Sequence, residues 1–129
     1  MNWIDEFVAV GSILDVERVS ELKEENIDLI IDARIAFTKG MITTPITPKI
    51  MRLAGILVEL SKLEVKTLIH CVFGIDRTPF LAMVYVSKKY SVSYEEAYSR
   101  VKEMRPETIF HWDWAELLKR KRRYSVGNN

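Results

Sequence analysis

Glutamine is absent from this 129-residue chain, and cysteine occurs once, at Cys71. A single cysteine excludes an intramolecular disulfide. With only two histidines beside it, a four-ligand Cys/His zinc site is excluded too. The five glycines are scattered singly, so no glycine-rich dinucleotide loop is available. Long hydrophobic runs are also missing: the apolar stretch at residues 80–86 falls far short of the roughly 20 residues a membrane span needs. The opening residues Met1, Asn2, Trp3, Ile4, Asp5 and Glu6 contain no basic stretch leading into an apolar run. No signal peptide is therefore expected, and a cytoplasmic protein that meets no membrane is the expectation. Linkers, repeats and low-complexity stretches are lacking as well, which leaves one domain over residues 1–129. The missing glutamine and the four asparagines, amid abundant Lys, Arg and Glu, resemble thermophile composition.

The chain is 48% hydrophobic and 29% charged, with a net charge of +1. That near-neutral total hides an asymmetry. Residues 1–65 carry 7 Lys/Arg against 11 Asp/Glu, a net of −4, whereas residues 66–129 carry 12 against 7, a net of +5. An anionic partner should meet the second half.

Short β-type runs alternate with helical patterns, which argues for an α/β fold: a central, mostly parallel sheet of four or five strands flanked by helices. Strands are expected over residues 7–10, 28–32 (a buried-strand pattern) and 66–70. Asp15 can cap a helix over 16–25 that puts Val16, Val19 and Leu22 on one face. Residues 33–46 lack a clear period and read as a loop or an irregular extension. Thr47 supplies a capping hydroxyl and Pro48 a first-turn proline for a helix to about Leu63, burying Ile50, Leu53, Ala54, Leu57 and Leu60. Further helices follow over 78–89, from Ser93 (with Glu96 spaced as a capping box) to near Pro106, and over 112–122.

The informative segment is His70, Cys71, Val72, Phe73, Gly74, Ile75, Asp76, Arg77, Thr78. A buried strand runs into a cysteine, then five loop residues, then an arginine at a helix start. Loop N–H groups and the helix N-terminus make an anion cradle, and the same field stabilises a thiolate at Cys71. Arg77 can grip two phosphate oxygens in its planar fork, and Gly74 permits the turn that aims the amides inward. The plain alternative for Cys71 is a buried structural thiol.

This His-Cys-(x)5-Arg-Thr string resembles the signature loop of the cysteine-dependent protein tyrosine phosphatase superfamily. The mid-chain loop and the small size resemble its dual-specificity branch; the low-molecular-weight branch carries its loop near the N-terminus. The resemblance extends to residues 3–11, the strand region 27–34, the helix before the loop, and Arg105-Pro106 after it, although only the loop is highly specific. It implies that Cys71 attacks phosphorus and forms a cysteinyl-phosphate that water hydrolyses, with no metal or cofactor. It further implies that Val72, Phe73, Gly74, Ile75, Asp76 and Arg77 bind the phosphate, that Thr78 stabilises the departing thiolate, and that His70 positions the loop.

Relatives usually supply the leaving-group proton from an aspartate on a loop before the signature helix. Here residues 33–58 contain no Asp or Glu. Asp76 is the favoured acid: it precedes Arg77, as the aspartate does in the loops of myotubularins and Sac-type phosphatases, within reach of the leaving oxygen. Its plain alternative is to hydrogen-bond loop amides. Asp32 and Asp113 are the weaker candidates. His111 or Asp113, in place of the family's late Gln or Asn, could position the hydrolytic water.

Among the loop's variable positions Val72, Phe73 and Ile75 are apolar and Asp76 is acidic, with no lysine. That favours a phosphoprotein substrate, phosphotyrosine or phosphoserine/threonine, over polyphosphoinositides. Phe37 and Lys39 are candidates for one wall of the entrance, with loop packing the alternative for Phe37. The basic run at residues 119–123 reads either as a solvated helix end or as an RNA-binding patch. Two rival functions follow: an RNA 5′-phosphatase of the same chemistry, and a catalytically weak phosphate-binding module. Trp3, Trp112 and Trp114 read as core or rim packing.

Overall fold

The computed structural model describes the backbone of residues 1–127 and the side chains of residues 1–120. Four strands form one sheet in the order β1-β2-β4-β3. They are β1 (Asn2–Trp3), β2 (Val8–Gly11), β3 (Leu29–Asp32) and β4 (Thr67–His70). β1 runs antiparallel to β2, and the β2–β4 and β4–β3 pairs are parallel. This is the mostly parallel sheet that the alternating pattern predicts. The register sets Gly11 and Asp32 on either side of His70, so three parallel strands end level with one another. Cys71 leaves the sheet at that carboxyl edge, where open α/β sheets bind ligands.

Burial follows sheet position. β2 and β4 are buried along their whole length, as apolar strands covered on both faces must be. β3 is the edge, and Leu29 and Ile30 are each 39% exposed. The expectation of a buried strand at 28–32 is corrected on that point, because an apolar run does not reveal which strand lacks a second neighbour.

The helices depart from expectation at their ends. The single helix expected over 16–25 is two, α1 (Ile13–Glu17) and α2 (Val19–Glu24), broken at Arg18, whose ψ of 71° is not helical. Ser12 is the N-cap and Asp15 is the third helical residue. The Asp15 carboxylate accepts from the Ser12 amide at 2.8 Å and pairs with the Met1 ammonium at 3.2 Å. It turns inward toward that buried cation, so it closes a capping box instead of opening the helix. Burial opposes its ionisation, but those contacts outweigh burial and hold it below the usual carboxylate range.

The third helix, α3 (Thr47–Lys62), is capped at Ile46 and carries its proline in the first turn; the Thr47 hydroxyl makes no capping bond. α3 buries Ile50, Ala54 and Leu57 as expected, and adds Ser61. α4 (Arg77–Tyr90) lies between α3 and α5 (Tyr94–Met104), and its residues from Thr78 to Val86 are all buried. Ser93 caps α5 by accepting from the Glu96 amide at 3.1 Å. The Glu96 carboxylate pairs with Arg100 and leaves the other half of that capping box unmade. α6 (Trp112–Gly127) runs past the expected end at 122.

The core sits between the sheet and α3–α6. Phe80 packs edge-on against Trp114 at 5.4 Å and against Phe37 at 6.1 Å. Aromatic pairs of this kind are worth about 0.5–1.5 kcal/mol each beyond their buried area. Phe37, 3% exposed, therefore belongs to the core and not to an entrance wall, while Lys39 is exposed on the loop after it. That loop begins with a 3-10 turn at Ala33–Ala36 and is pinned by a bridge between Phe37 and Pro45.

Candidate active site

The loop from Cys71 to Asp76 connects the buried end of β4 to the first residue of α4, which is Arg77. It has no regular structure of its own, so its shape comes from neighbours. The Ile13 amide donates to the Val72 carbonyl at 3.0 Å, and the Ile109 amide donates to the Ile75 carbonyl at 2.7 Å. Arg105 does the most. It is 7% exposed, and it donates from Nε to the Gly74 carbonyl at 2.6 Å and from Nη2 to the Phe73 carbonyl at 3.2 Å. Its third nitrogen donates to Asn2 Oδ1 at 2.6 Å, and Glu107 lies 3.2 Å from Nε. A planar guanidinium satisfies two successive loop carbonyls at once, of which that of Gly74 would otherwise be buried without a donor. Sequence reasoning placed Arg105-Pro106 in the resemblance but gave it no task, because a hydrogen bond across 31 residues has no local signature.

Gly74 sits at φ +70°, where an L side chain is strained. A Cβ there would lie 2.6 Å from the Gly11 carbonyl carbon and 2.8 Å from Arg105 Nη2. The bare backbone of Gly74 thus lets the loop fold down onto β2. In that position its amide donates to Cys71 Sγ at 3.3 Å. Among the described residues, the amides of Val72, Phe73 and Ile75 have no backbone acceptor. Cys71 itself is fully buried, and His70 Nδ1 lies 3.4 Å from the Cys71 carbonyl. The Thr78 hydroxyl, in the first turn of α4, is buried and has no hydrogen-bond partner.

Asp76 is the N-cap of α4. Its Oδ1 accepts from the Arg77 amide at 2.6 Å and lies 3.7 Å from Arg77 Nε. Its Oδ2 lies 3.6 Å from His111 Nε2, and the His111 ring stacks on Trp114 at 3.8 Å with 17° between planes. The Tyr98 hydroxyl faces the His111 backbone without a well-formed hydrogen bond. Burial, together with the nearby charges of Asp113 and Asp76, pushes its pKa well up. Asp113 is exposed on the first turn of α6, and among the described residues no hydrogen bond or ion pair joins it to the loop.

Asp32 is held differently. Arg34 donates to both of its oxygens, from Nε at 2.9 and 3.0 Å and from Nη2 at 2.7 Å. That fork outweighs partial burial and holds the Asp32 carboxyl below the usual range, with the Arg34 amide adding to it. A carboxylate kept ionised by a bidentate guanidinium is a poor proton donor. From sequence Arg34 appeared only as the end of the strand region 27–34 and was given no task of its own.

Of the basic run, Lys119 pairs with Glu95 at 2.7 Å and Arg120 is exposed. The side chains of Lys121, Arg122 and Arg123 lie outside the described residues. Trp3 donates to Glu25 at 2.9 Å, Trp114 is core, and Trp112 is 44% exposed at the rim. Among the described residues no cluster of His, Cys, Asp and Glu could hold a metal, and no helix is long and apolar enough to cross a membrane.

A buried cysteine thus leaves the carboxyl edge of a mostly parallel sheet, and a loop ending at an arginine joins it to a helix start. The chain belongs to the dual specificity phosphatase catalytic domain family, whose model matches residues 10–122. The human Dual specificity protein phosphatase 16 is 46% identical over 39 residues, which are 30% of this chain and 6% of that protein. This chain therefore corresponds to a small part of that relative. Among solved structures, a leucine rich repeat and phosphatase domain containing protein from Entamoeba histolytica superposes with a TM-score of 0.79. It shares 16% identity, over 99% of this chain and 94% of that one. Human DUSP28 gives 0.79 at 10% identity over the whole of both chains. At such identities these two likenesses show a common fold.

Proposed function

We propose that this single-domain chain is a phosphatase that hydrolyses phosphomonoesters on proteins, phosphotyrosine foremost, through a cysteinyl-phosphate on Cys71. The observation that carries the reading is the loop itself: Sγ of a buried cysteine takes an amide from Gly74 at 3.3 Å, directly before the helix that Arg77 begins. Helix N-terminal field, loop amides and the Arg77 fork all favour negative charge at one place. Cys71 attacks phosphorus, the S–P bond forms as the P–O bond to the leaving group breaks, and Arg77 with the amides meets the developing equatorial charge. Asp76 delivers the proton to the leaving oxygen. Water then cleaves the S–P bond while the unpartnered Thr78 hydroxyl receives the departing thiolate, and His70 steadies the loop backbone. Val72, Phe73, Gly74 and Ile75 complete the phosphate cradle.

An apolar setting supports an aryl phosphate over a polyanion. Phe73 in the loop is 69% exposed, and Ile109, tied to the loop through its amide, is 49% exposed. The RNA reading loses support where Lys119 is engaged by Glu95. The deciding experiment is hydrolysis of a simple aryl phosphate from pH 4 to 8, with Cys71→Ser as the blank. Turnover that vanishes in Cys71→Ser supports the phosphatase. Equal inertness with retained vanadate binding supports a phosphate-binding module, and preference for RNA 5′-triphosphate over phosphotyrosine supports the RNA enzyme.

A further inference from the structure

The proton donor is where this site departs from its relatives, and geometry constrains each of its three candidates, Asp32, Asp113 and Asp76. Residues 33–58 offer no carboxylate. Both oxygens of Asp32 are taken by Arg34. Asp113 is exposed, and no bond joins it to the loop among the described residues. Asp76 remains, yet one of its oxygens is committed as well: Oδ1 accepts from the Arg77 amide at 2.6 Å and caps α4. Only Oδ2 is open to proton exchange, and the group beside it is His111 Nε2 at 3.6 Å.

We infer that His111 completes the acid: Oδ2 of Asp76 and Nε2 of His111 hold one transferable proton between them, and this pair protonates the leaving group. The inference rests on the phosphatase reading above. As the P–O bond breaks and charge grows on the leaving oxygen, the shared proton passes from Oδ2 to that oxygen, leaving a carboxylate and a neutral imidazole. In the second step the attacking water forms its O–P bond, the S–P bond breaks toward the thiolate, and the water's proton returns to the pair. Atoms and charge balance without a metal or a third acid.

The surroundings fit this task. Stacking on Trp114 at 3.8 Å fixes the imidazole plane without consuming a ring nitrogen. The charged or titratable groups around the pair are Arg77 beside Asp76, the Tyr98 hydroxyl behind the His111 backbone, and Asp113 two residues on. Arg105 and Glu107 earlier in the same segment are turned to each other and to the loop carbonyls. Among the described residues none of these is hydrogen-bonded to Oδ2. Because His111 works through Asp76, it is a positioning residue that also stores the proton. The 3.6 Å separation is longer than a hydrogen bond, and catalytic contacts of this kind often tighten only in the substrate complex.

The test compares two substrates that differ in their need for an acid: an alkyl phosphate, whose leaving group must be protonated, and a nitro-substituted aryl phosphate, whose leaving group departs more readily as an anion. His111→Phe keeps a ring on Trp114 and removes both nitrogens. It should lower kcat/KM for the alkyl phosphate at least about tenfold more than for the aryl phosphate, within the range that general acids supply. Asp76→Asn should show the same split, and the double variant should be no worse than Asp76→Asn alone. His111→Gln retains a hydrogen-bond donor but no exchangeable acid proton, so it should behave as His111→Phe does and also covers the case in which the phenylalanine variant fails to fold. Equal losses on both substrates, rescue by His111→Gln, or multiplying losses in the double variant would overturn the shared proton while Cys71-dependent turnover stood. Absence of any Cys71-dependent turnover would overturn the phosphatase reading and the pair with it.

Discussion

Removing the Arg105 guanidinium tests whether the loop is held from outside, as its contacts indicate. Two hydrogen bonds from a charged donor to the Gly74 and Phe73 carbonyls are lost in Arg105→Met. Each such bond is worth about 1.5–3 kcal/mol, and each buried carbonyl left without a donor costs about 1–3 kcal/mol. Those figures overlap, since they are two ways of stating one loss, so the expected destabilisation is about 3–5 kcal/mol. The loop would still be tied by Ile13 to Val72 and by Ile109 to Ile75. It should therefore shift and not unravel, and a displacement near 1 Å at a reacting centre costs on the order of 100-fold in rate. Arg105→Lys should fall between, because a single ammonium cannot serve two carbonyls in one plane. Urea unfolding reads the stability, with an unchanged slope confirming that the midpoint shift is a change in free energy. The aryl phosphate assay reads kcat/KM. Arg105→Met within 1 kcal/mol of the parent and within about threefold in kcat/KM would refute the clamp. Asn2→Ala is the control: it removes only the outer partner at 2.6 Å and should cost about 1 kcal/mol.

Gly74→Ala should be inactive and destabilised by about 2 kcal/mol or more, since a left-handed φ and a clash with the Gly11 carbonyl coincide; retention of wild-type turnover would contradict the close approach. Thr78→Val should raise stability by about 1 kcal/mol by removing a buried hydroxyl that has no partner, while slowing phosphoenzyme hydrolysis, seen as a larger pre-steady-state burst; loss of stability would refute it. Asp5 accepts from Tyr85 at 2.6 Å, Tyr90 at 2.8 Å and Lys89 at 2.9 Å, and these bonds, with the Phe7 amide, outweigh burial and lower its pKa. Its stabilisation is therefore full above the ordinary carboxylate range and is lost as pH falls through the lowered folded value, so Asp5→Asn should flatten the acid limb of a stability–pH curve. Asp32→Asn should keep most aryl and alkyl phosphate turnover, because the Arg34 fork rules it out as the acid; a loss confined to the alkyl substrate would reinstate it.

The strand–loop–helix at Cys71 was legible because everything that defines it is local: an apolar run, a spacing of five, an arginine where a helix can start. The three buried or edge strands were legible for the same reason, and α4 likewise. What escaped depends on partners far away in the chain. Whether an apolar run is central or an edge depends on neighbours, and β3 has only one. Asp15 looked like a cap until the Met1 ammonium, 14 residues distant, was placed against it. Phe37, in a segment without periodicity, is drawn into the core by Trp114 at 5.2 Å, far along the chain. In the site, Asp76 and His111 were each visible as candidates for separate tasks, but only the fold brings them to 3.6 Å.

In the proposed mechanism Asp76 serves both as a capping residue and as an acid. A carboxylate has two oxygens, and here they face different ways. Oδ1 lies on the helix side, where it accepts from the Arg77 amide at the start of α4. Oδ2 lies on the late-loop side, toward His111. In the proposed mechanism capping does not compete with proton transfer: with Oδ1 held by the Arg77 amide, the remaining oxygen faces His111. An aspartate placed one residue before the arginine can do both because the helix begins there. A separate acid loop, by contrast, must be brought to the site by chain closure. Residues 33–58 contain no carboxylate and serve the core through Phe37, and in the proposed mechanism the acid function falls to Asp76 of the loop and His111 of the segment before α6.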